Sequence, residues 1–359
     1  MTSDLLEPFV LLRNPTTYRP SDWDLTADEQ GRAYWINLFQ TNFRTILKLA
    51  VEMALARGTP LDMAEQQASS CAADFDQQLT AFAAQPSAFG EVGILTLDRW
   101  RDATLRRHGY EDPFLDLKNR ENERMLPLLP VVCAQLDEIA NEGEKLFAAI
   151  QGIFAGNIFD MGATATAKAF LTQSPDFFAT RQTLRPRPWL VDDYDSFAAR
   201  VLKGPPHRKL IFFIDNAGSD FLLGALPLMR LVARRGTRIV LAANERPSLN
   251  DMTIHDVQNW WPRILQAEPS LRDLPIVLVS TGTGEPLIDL ARVSSGLNHA
   301  AQDADLVILE GMGRGVESNF DVTLEVDTLN IAMLKDPAVA GRIGGQVFDL
   351  VCRFVPVNA

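Results

Sequence analysis

Leu210-Ile211-Phe212-Phe213-Ile214-Asp215-Asn216-Ala217-Gly218-Ser219-Asp220 runs five apolar residues straight into an acid, an amide and small residues. So short and continuous an apolar run reads as a strand buried on both faces of a parallel sheet. Helical spacing follows over about 220–235, Gly236 ends it, and 238–242 reads as a second strand. Further strands are expected at 275–279 and 306–309, with a shorter one at 330–334 and a last helix from about 337 to 354. Strands alternating with helices predict an open, mostly parallel α/β sheet with right-handed crossovers.

Upstream the texture is helical. Thr26 followed by Glu29 has the form of a capping box, and Trp35, Leu38, Phe39, Phe43, Ile46, Leu47, Ala50 and Met53 then recur at helical spacing. Helices are also expected over about 64–84 and 97–108, and a longer one through Val132, Leu136, Ile139, Leu146 and Ile150. Ser174-Pro175 and Arg185-Pro186-Arg187-Pro188 cannot continue a helix, so the boundary falls within 171–190. The expected division is a helical domain over 1–180 and an α/β catalytic domain over 181–359.

The chain has 359 residues, 47% of them hydrophobic, enough to bury a large core. No stretch reaches the roughly 18 consecutive apolar residues of a membrane span. The N-terminus carries acids where a secretory signal carries Lys or Arg, so a cytoplasmic protein is expected. Three scattered cysteines and four scattered histidines give zinc little to bind. A net charge of −12 with interspersed signs disfavours nucleic acid as the partner. An anionic substrate therefore needs a local positive site.

In open α/β sheets ligands gather at the carboxyl ends of the strands. Asp215 and Asn216 follow the first strand, Asn244 follows the second, and Asn250-Asp251 lies in the loop beyond it. Asp215, Asn216 and Asp251 offer hard oxygen donors suited to Mg²⁺ or Mn²⁺. Turns and caps favour the same residue types, and it is their convergence on one rim that argues for a site. Glu310-Gly311-Met312-Gly313-Arg314-Gly315 follows the fourth strand without the GxGxxG spacing, and reads as a close-approach loop presenting Arg314. Arg314, Lys335 or Arg246 can supply the positive site, while His255 reads as structural. No GxxxxGK[ST] is present, and the residue two beyond Asp215 is Ala217, where a haloacid-dehalogenase-type phosphatase needs a second Asp.

Residues 213–220 and 241–253 together resemble the damage-control phosphatases of the domain-of-unknown-function-89 family. The resemblance is strongest to the branch found as stand-alone plant proteins and as the C-terminal domain of pantothenate kinase isoform four. It extends to residues 34–39, 152–160, Pro186-Arg187-Pro188-Trp189 and 304–315, and so covers most of the chain. It implies a helical domain packed on a Rossmann-like α/β domain, with one divalent metal (Mg, Mn, Co or Ni) held by Asp215, Asn216 and Asp251. It further implies that Asn157 and Asp160 close the site and that Lys335 binds phosphate, although 330–335 reads Asn-Ile-Ala-Met-Leu-Lys where other branches carry Arg-Thr-x-Lys. Asn244, Glu310 and Arg314 complete the expected substrate contacts.

The expected activity is metal-assisted hydrolysis of a small phosphomonoester, 4'-phosphopantetheine or its oxidised derivatives being the branch's substrates and sugar phosphates those of other branches. Whether water or Asp215 attacks phosphorus is open, as is the oligomeric state. A non-catalytic phosphometabolite-binding protein and an S-adenosylmethionine-dependent methyltransferase are the rivals from other classes.

Overall fold

The structure is a computed structural model that describes residues 5–20, 23–158 and 176–357. Its centre is a seven-stranded sheet built from β2 (Val191–Asp192), β3 (Lys209–Phe213), β4 (Arg238–Ala243), β5 (Ile276–Ser280), β7 (Leu306–Glu310), β8 (Asp327–Met333) and β9 (Leu350–Val355), in the order β2-β9-β8-β7-β3-β4-β5. A separate antiparallel pair joins β1 (Leu6–Glu7) to β6 (Val293–Ser294). Strands β8, β7, β3, β4 and β5 are mutually parallel. β9 runs antiparallel to β8, and β2 parallel to β9. From β3 the chain winds outward through β4 to β5, then returns to lay β7 on the opposite side of β3. The strand order reverses there, and the crevice between the β3 and β7 loops is where such sheets bind ligands.

Side chains alternate across the sheet as a pleat requires. Leu210, Phe212, Leu241 and Ile308 face a core shared with α5 (Leu129–Glu138) and α6 (Glu142–Gly156), whereas Ile211, Phe213, Val240 and Val307 meet Phe9, Leu290 and Leu297. A third core joins α1 (Glu29–Ala56), α2 (Leu61–Ala84) and α3 (Ile94–Arg107) to Leu287, Met312, Ala332 and Leu334, which brings these helices over the carboxyl rim. Among the described residues no helix is long and apolar enough to cross a membrane.

Three local expectations are corrected. Asp28, not Thr26, caps α1 by accepting from Gly31 N at 2.8 Å, and the Thr26 hydroxyl turns to Gly90 O at 2.7 Å. The single helix through 132–150 is broken, because the Asn141 side chain accepts from Gly143 N and starts α6 afresh. The helix expected over 337–354 is only one and a half turns, Pro337–Arg342; Gly344 takes a left-handed φ of 75°, and the apolar run 350–355 becomes β9. The helix after β3 opens with a π-helical turn, Asp220–Ala225, in which Phe221 N reaches Asn216 O at 3.2 Å. Strands β3, β4, β5, β7 and β8 fall within a few residues of their expected positions.

Pro186-Arg187-Pro188-Trp189 is a structural corner. Arg187 pairs with Asp192 at 2.8 Å and stacks over Tyr194, while Trp189 packs against Phe147 and Phe154.

Candidate active site

The loops after β3, β4 and β7 converge. Asn216 and Asp251 form an isolated antiparallel bridge, Ala217 N donates to Asn250 O at 2.9 Å and Met252 N to Asp215 O at 3.0 Å. These bonds hold the two candidate ligand loops together by backbone alone. Gly311, at the end of β7, has φ 93°, and a Cβ there would lie 2.1 Å from Asp215 Oδ2. Only glycine lets the third loop approach the carboxylate so closely.

A second π-helical turn, Gly313–Glu317, aims Arg314 inward; its Ser318 N reaches Gly313 O at 3.1 Å. Such single wide turns recur at functional sites. The Arg314 guanidinium bonds Asp215 with one nitrogen and Asp251 Oδ2 with another at 2.8 Å. Asn216 Nδ2 donates to Asp215 at 2.8 Å and to Asp220 at 3.0 Å; Asn157 Nδ2 donates to the same pair at 3.1 and 2.9 Å. Asn244 Nδ2 donates to Asp251 at 3.1 Å. Glu310 and Lys335 are fully buried beside this group, and the Lys335 charge is felt by Asp215. Eight of the nine residues expected at the site are thus brought together, and Asp160 lies outside the described residues. Arg246 and His255 are exposed, unlike the buried residues of this group.

Among the described residues the buried carboxyls Asp215, Asp220, Asp251 and Glu310 outnumber the buried cations Arg314 and Lys335. Burial raises the Asp215 carboxyl well above its usual range; Arg314 opposes this, and the charges on Asp251 and Asp220 add to it. Glu310 is raised likewise by burial, by the charges on Asp220 and Asp215, and by a side-chain hydrogen bond with Asp220. Burial also works against the Arg314 charge, but Asp251 and Asp215 outweigh it and hold the guanidinium above its ordinary value. The cluster is short of positive charge, and a guanidinium already lies between the two carboxylates that would share a metal. Among the described residues no trio of His, Cys, Asp or Glu forms a ready-made metal cage. The donors here are two carboxylates and the Asn216 amide, a set that suits a hard divalent cation rather than zinc.

Residues that the sequence reading passed over support the centre. α4 (Leu115–Met125) supplies Asn122, which accepts from Gly218 N at 2.8 Å, and Lys118, which pairs with Asp256 at 2.6 Å and Asp112 at 2.8 Å. Asp256 completes a capping box with Thr253 just beyond Asp251. On α3, Arg101 binds Asp98 at 2.6 Å, Asp102 at 2.7 Å and Ser248 at 2.7 Å, and Ser248 donates to Asp102 at 2.6 Å. The legible signal was charge at core positions: 94, 98, 101 and 105 share a helix face, and two of the four are charged. Asp220 carries no site signal in the sequence, since an acid at the start of a helix is ordinarily a cap.

A cavity opens from this centre beneath α1 and α3. Trp35, Phe39, Ile94, Leu287 and Met312 supply its apolar wall, with Asp98, Arg101, Asp215, Asn216 and Asp251 among its polar groups. Burial, partly countered by Arg101, pushes the Asp98 carboxyl up to about 7.

The damage-control phosphatase ARMT1-like domain matches residues 49–351. A damage-control phosphatase of Arabidopsis thaliana is 36% identical, over 95% of this chain and 92% of its own length. A mouse protein named 4'-phosphopantetheine phosphatase is 31% identical over 98% of this chain and 50% of its own length. Rice pantothenate kinase 2 is 33% identical over 98% of this chain, which spans only 42% of that longer protein. The crystal structure of a DUF89 family protein from Pyrococcus horikoshii superposes with a TM-score of 0.63 over 89% of this chain and 96% of its own, at 18% identity, and so shares the fold. The chain belongs to the damage-control phosphatase family.

Proposed function

We propose that this protein is a divalent-metal-dependent phosphatase acting on a small phosphomonoester, with 4'-phosphopantetheine or its oxidised derivatives the first substrates to test. The observation that carries the reading is the meeting of Asp215, Asn216, Asp251 and Arg314 at the switch point of the sheet, in an acidic cluster short of cations. The substrate rests on the name of the mouse relative and on the family.

Asp215, Asn216 and Asp251 would hold one ion. When bound, it supplies Lewis-acid polarisation of a phosphoryl oxygen and a lowered pKa for an attacking water. The chain's own residues do the rest. Arg314 and Lys335 bring fixed positive charge to the equatorial oxygens, where charge is spread in phosphoryl transfer. Asn157 and Asn216 fix the Asp215 carboxylate from the far side, so it need not reorient during the reaction. The apolar wall of the cavity excludes water and strengthens each of these electrostatic contacts.

Replacing Asp251 tests the assignment. Asp251→Ala removes a partner of Arg314 and Asn244 together with a candidate ligand. It should lower kcat for p-nitrophenyl phosphate by at least about 10² to 10³, the usual cost of one preorganised stabiliser. Near-normal turnover by folded variant protein at saturating metal would remove Asp251 from the mechanism.

A further inference from the structure

Asp220 opens the π-helical turn after β3, yet its side chain does not serve that helix. An acid that caps a helix accepts from N–H groups two or three residues further on. Asp220 Oδ2 reaches back instead, accepting from Asn216 N at 3.2 Å, Asn216 Nδ2 at 3.0 Å and Asn157 Nδ2 at 2.9 Å. The carboxyl is fully buried. The last turn of α6 lies directly against it. A Cβ on Gly156 would fall 2.8 Å from both Asp220 Cα and Ser219 O, and the Ser219 hydroxyl donates to Gly156 O at 3.2 Å. That close approach delivers Asn157 to Asp215 and Asp220.

The consequence falls on Asn216. Its amide nitrogen carries two N–H groups. One goes to Asp215 Oδ2 at 2.8 Å and the other to Asp220 Oδ2. Both partners are carboxylate oxygens, acceptors on which Asn157 Nδ2 also converges at 3.1 and 2.9 Å. Turning the Asn216 amide over would set its oxygen against two acceptors. The nitrogen is thereby committed to the protein, and the carbonyl oxygen is left for the cavity that Asn216 lines with Asp215 and Asp251. A hard cation is bound by an amide through oxygen, so the way this side chain faces decides whether it is a ligand. Asp215 alone would hold one N–H; Asp220 holds the second and anchors the backbone N–H of the same residue.

We propose that Asp220 is a positioning residue that fixes the Asn216 amide with its oxygen towards the divalent ion before the ion arrives. The assignment rests on the reading of Asp215, Asn216 and Asp251 as the ligands of that ion.

Mn²⁺ affinity, read from the free-ion signal in electron paramagnetic resonance, tests it without any turnover. Wild type, Asp251→Ala, Asp220→Ala and Asp220→Asn are compared, Asp220→Ala is also placed in an Asn216→Ala background, and circular dichroism establishes that each is folded. Asp220→Ala should weaken Mn²⁺ binding about 10- to 100-fold, the usual cost of removing the partner that orients a metal ligand. In Asp220→Asn an oxygen can stay on Asn216 and Asn157 while the NH₂ turns to Glu310, which already hydrogen-bonds Asp220. That variant should recover most of the affinity. In the Asn216→Ala background Asp220→Ala should have no further effect, because the group it acts through is gone. Asp220→Ser, whose hydroxyl stops short of Asn216, replaces Asp220→Ala if the latter does not fold. Three results would each overturn the proposal: wild-type affinity in Asp220→Ala, a loss in Asp220→Asn as deep as in Asp220→Ala, or a loss that persists undiminished without the Asn216 amide. The metal site itself would survive any of them, provided that Asp251→Ala still weakens Mn²⁺ binding. Folded wild type that binds no Mn²⁺, or binds it equally well without Asp251, would overturn the metal reading and the positioning role together.

Discussion

Arg314 is the residue on which the charge balance of the centre turns. It is buried to 1% exposure and bonds both Asp215 and Asp251. Removing one partner of such an arrangement leaves uncompensated charge in a low dielectric, at a cost of about 3–5 kcal/mol. Arg314→Met should therefore lose about that much stability in urea denaturation of metal-free protein. An unchanged midpoint and slope would mean that the guanidinium does not hold the carboxylates in solution. Asp215, Asn216 and Asn244 could be placed on one rim because each sits just past a strand whose end could be read, and Asp251 and Arg314 because they lie in the loops that leave such strands. Asp98, Arg101 and Ser248 could not. Periodicity marks helix α3 as amphipathic but does not say that its charged core positions meet a loop about 150 residues further on.

At the scale of elements, α3 anchors the loop that presents Asp251. Arg101 and Asp102 both bond Ser248, three residues before Asp251, and Leu249 takes a left-handed φ of 50° between them. A leucine in that region is strained, and it persists because its surroundings fix it. Ser248→Ala leaves Asp102 Oδ2 without its donor and one Arg101 nitrogen without its acceptor. It should cost about 1–3 kcal/mol of stability and lower kcat/KM by loosening the Asp251 loop. Wild-type stability and kinetics in the variant would show the loop to be held by its backbone bonds alone. The strands β3, β4 and β7 could be read because each is a short apolar run flanked by polar turns. β9 could not: 350–355 is apolar like a helix end, and only pairing with β8 makes it a strand. α4 was passed over because it is mostly polar, and its few buried residues, Lys118 and Asn122 among them, look like surface.

For the molecule as a whole, the buried acids set a dependence of stability on pH. Asp98 is raised from its ordinary 3.8 to about 7, chiefly by burial, and Asp215 and Glu310 shift in the same direction. Between the unfolded and folded values the native state holds a proton that the unfolded chain has released, so stability falls as pH rises through that window. Asp98→Asn removes one such group. Its stability, measured by denaturant titration, should decline less steeply than that of the wild type from about pH 4 to 7. Parallel curves would mean that Asp98 titrates normally. The open α/β class followed from the order of the elements, but the packing of α1 and α3 over the rim did not, because it is set by contacts distant in sequence.

The most direct test of the central claim is phosphate release by metal-stripped protein, with p-nitrophenyl phosphate and 4'-phosphopantetheine as substrates and Mg²⁺, Mn²⁺, Co²⁺ and Ni²⁺ added back separately. The predicted result is negligible release without metal, restoration by at least one of these ions, and loss of that restored rate in Asp251→Ala. Folded wild-type protein that releases no phosphate with any of them, or that releases it equally well without metal, would contradict the assignment.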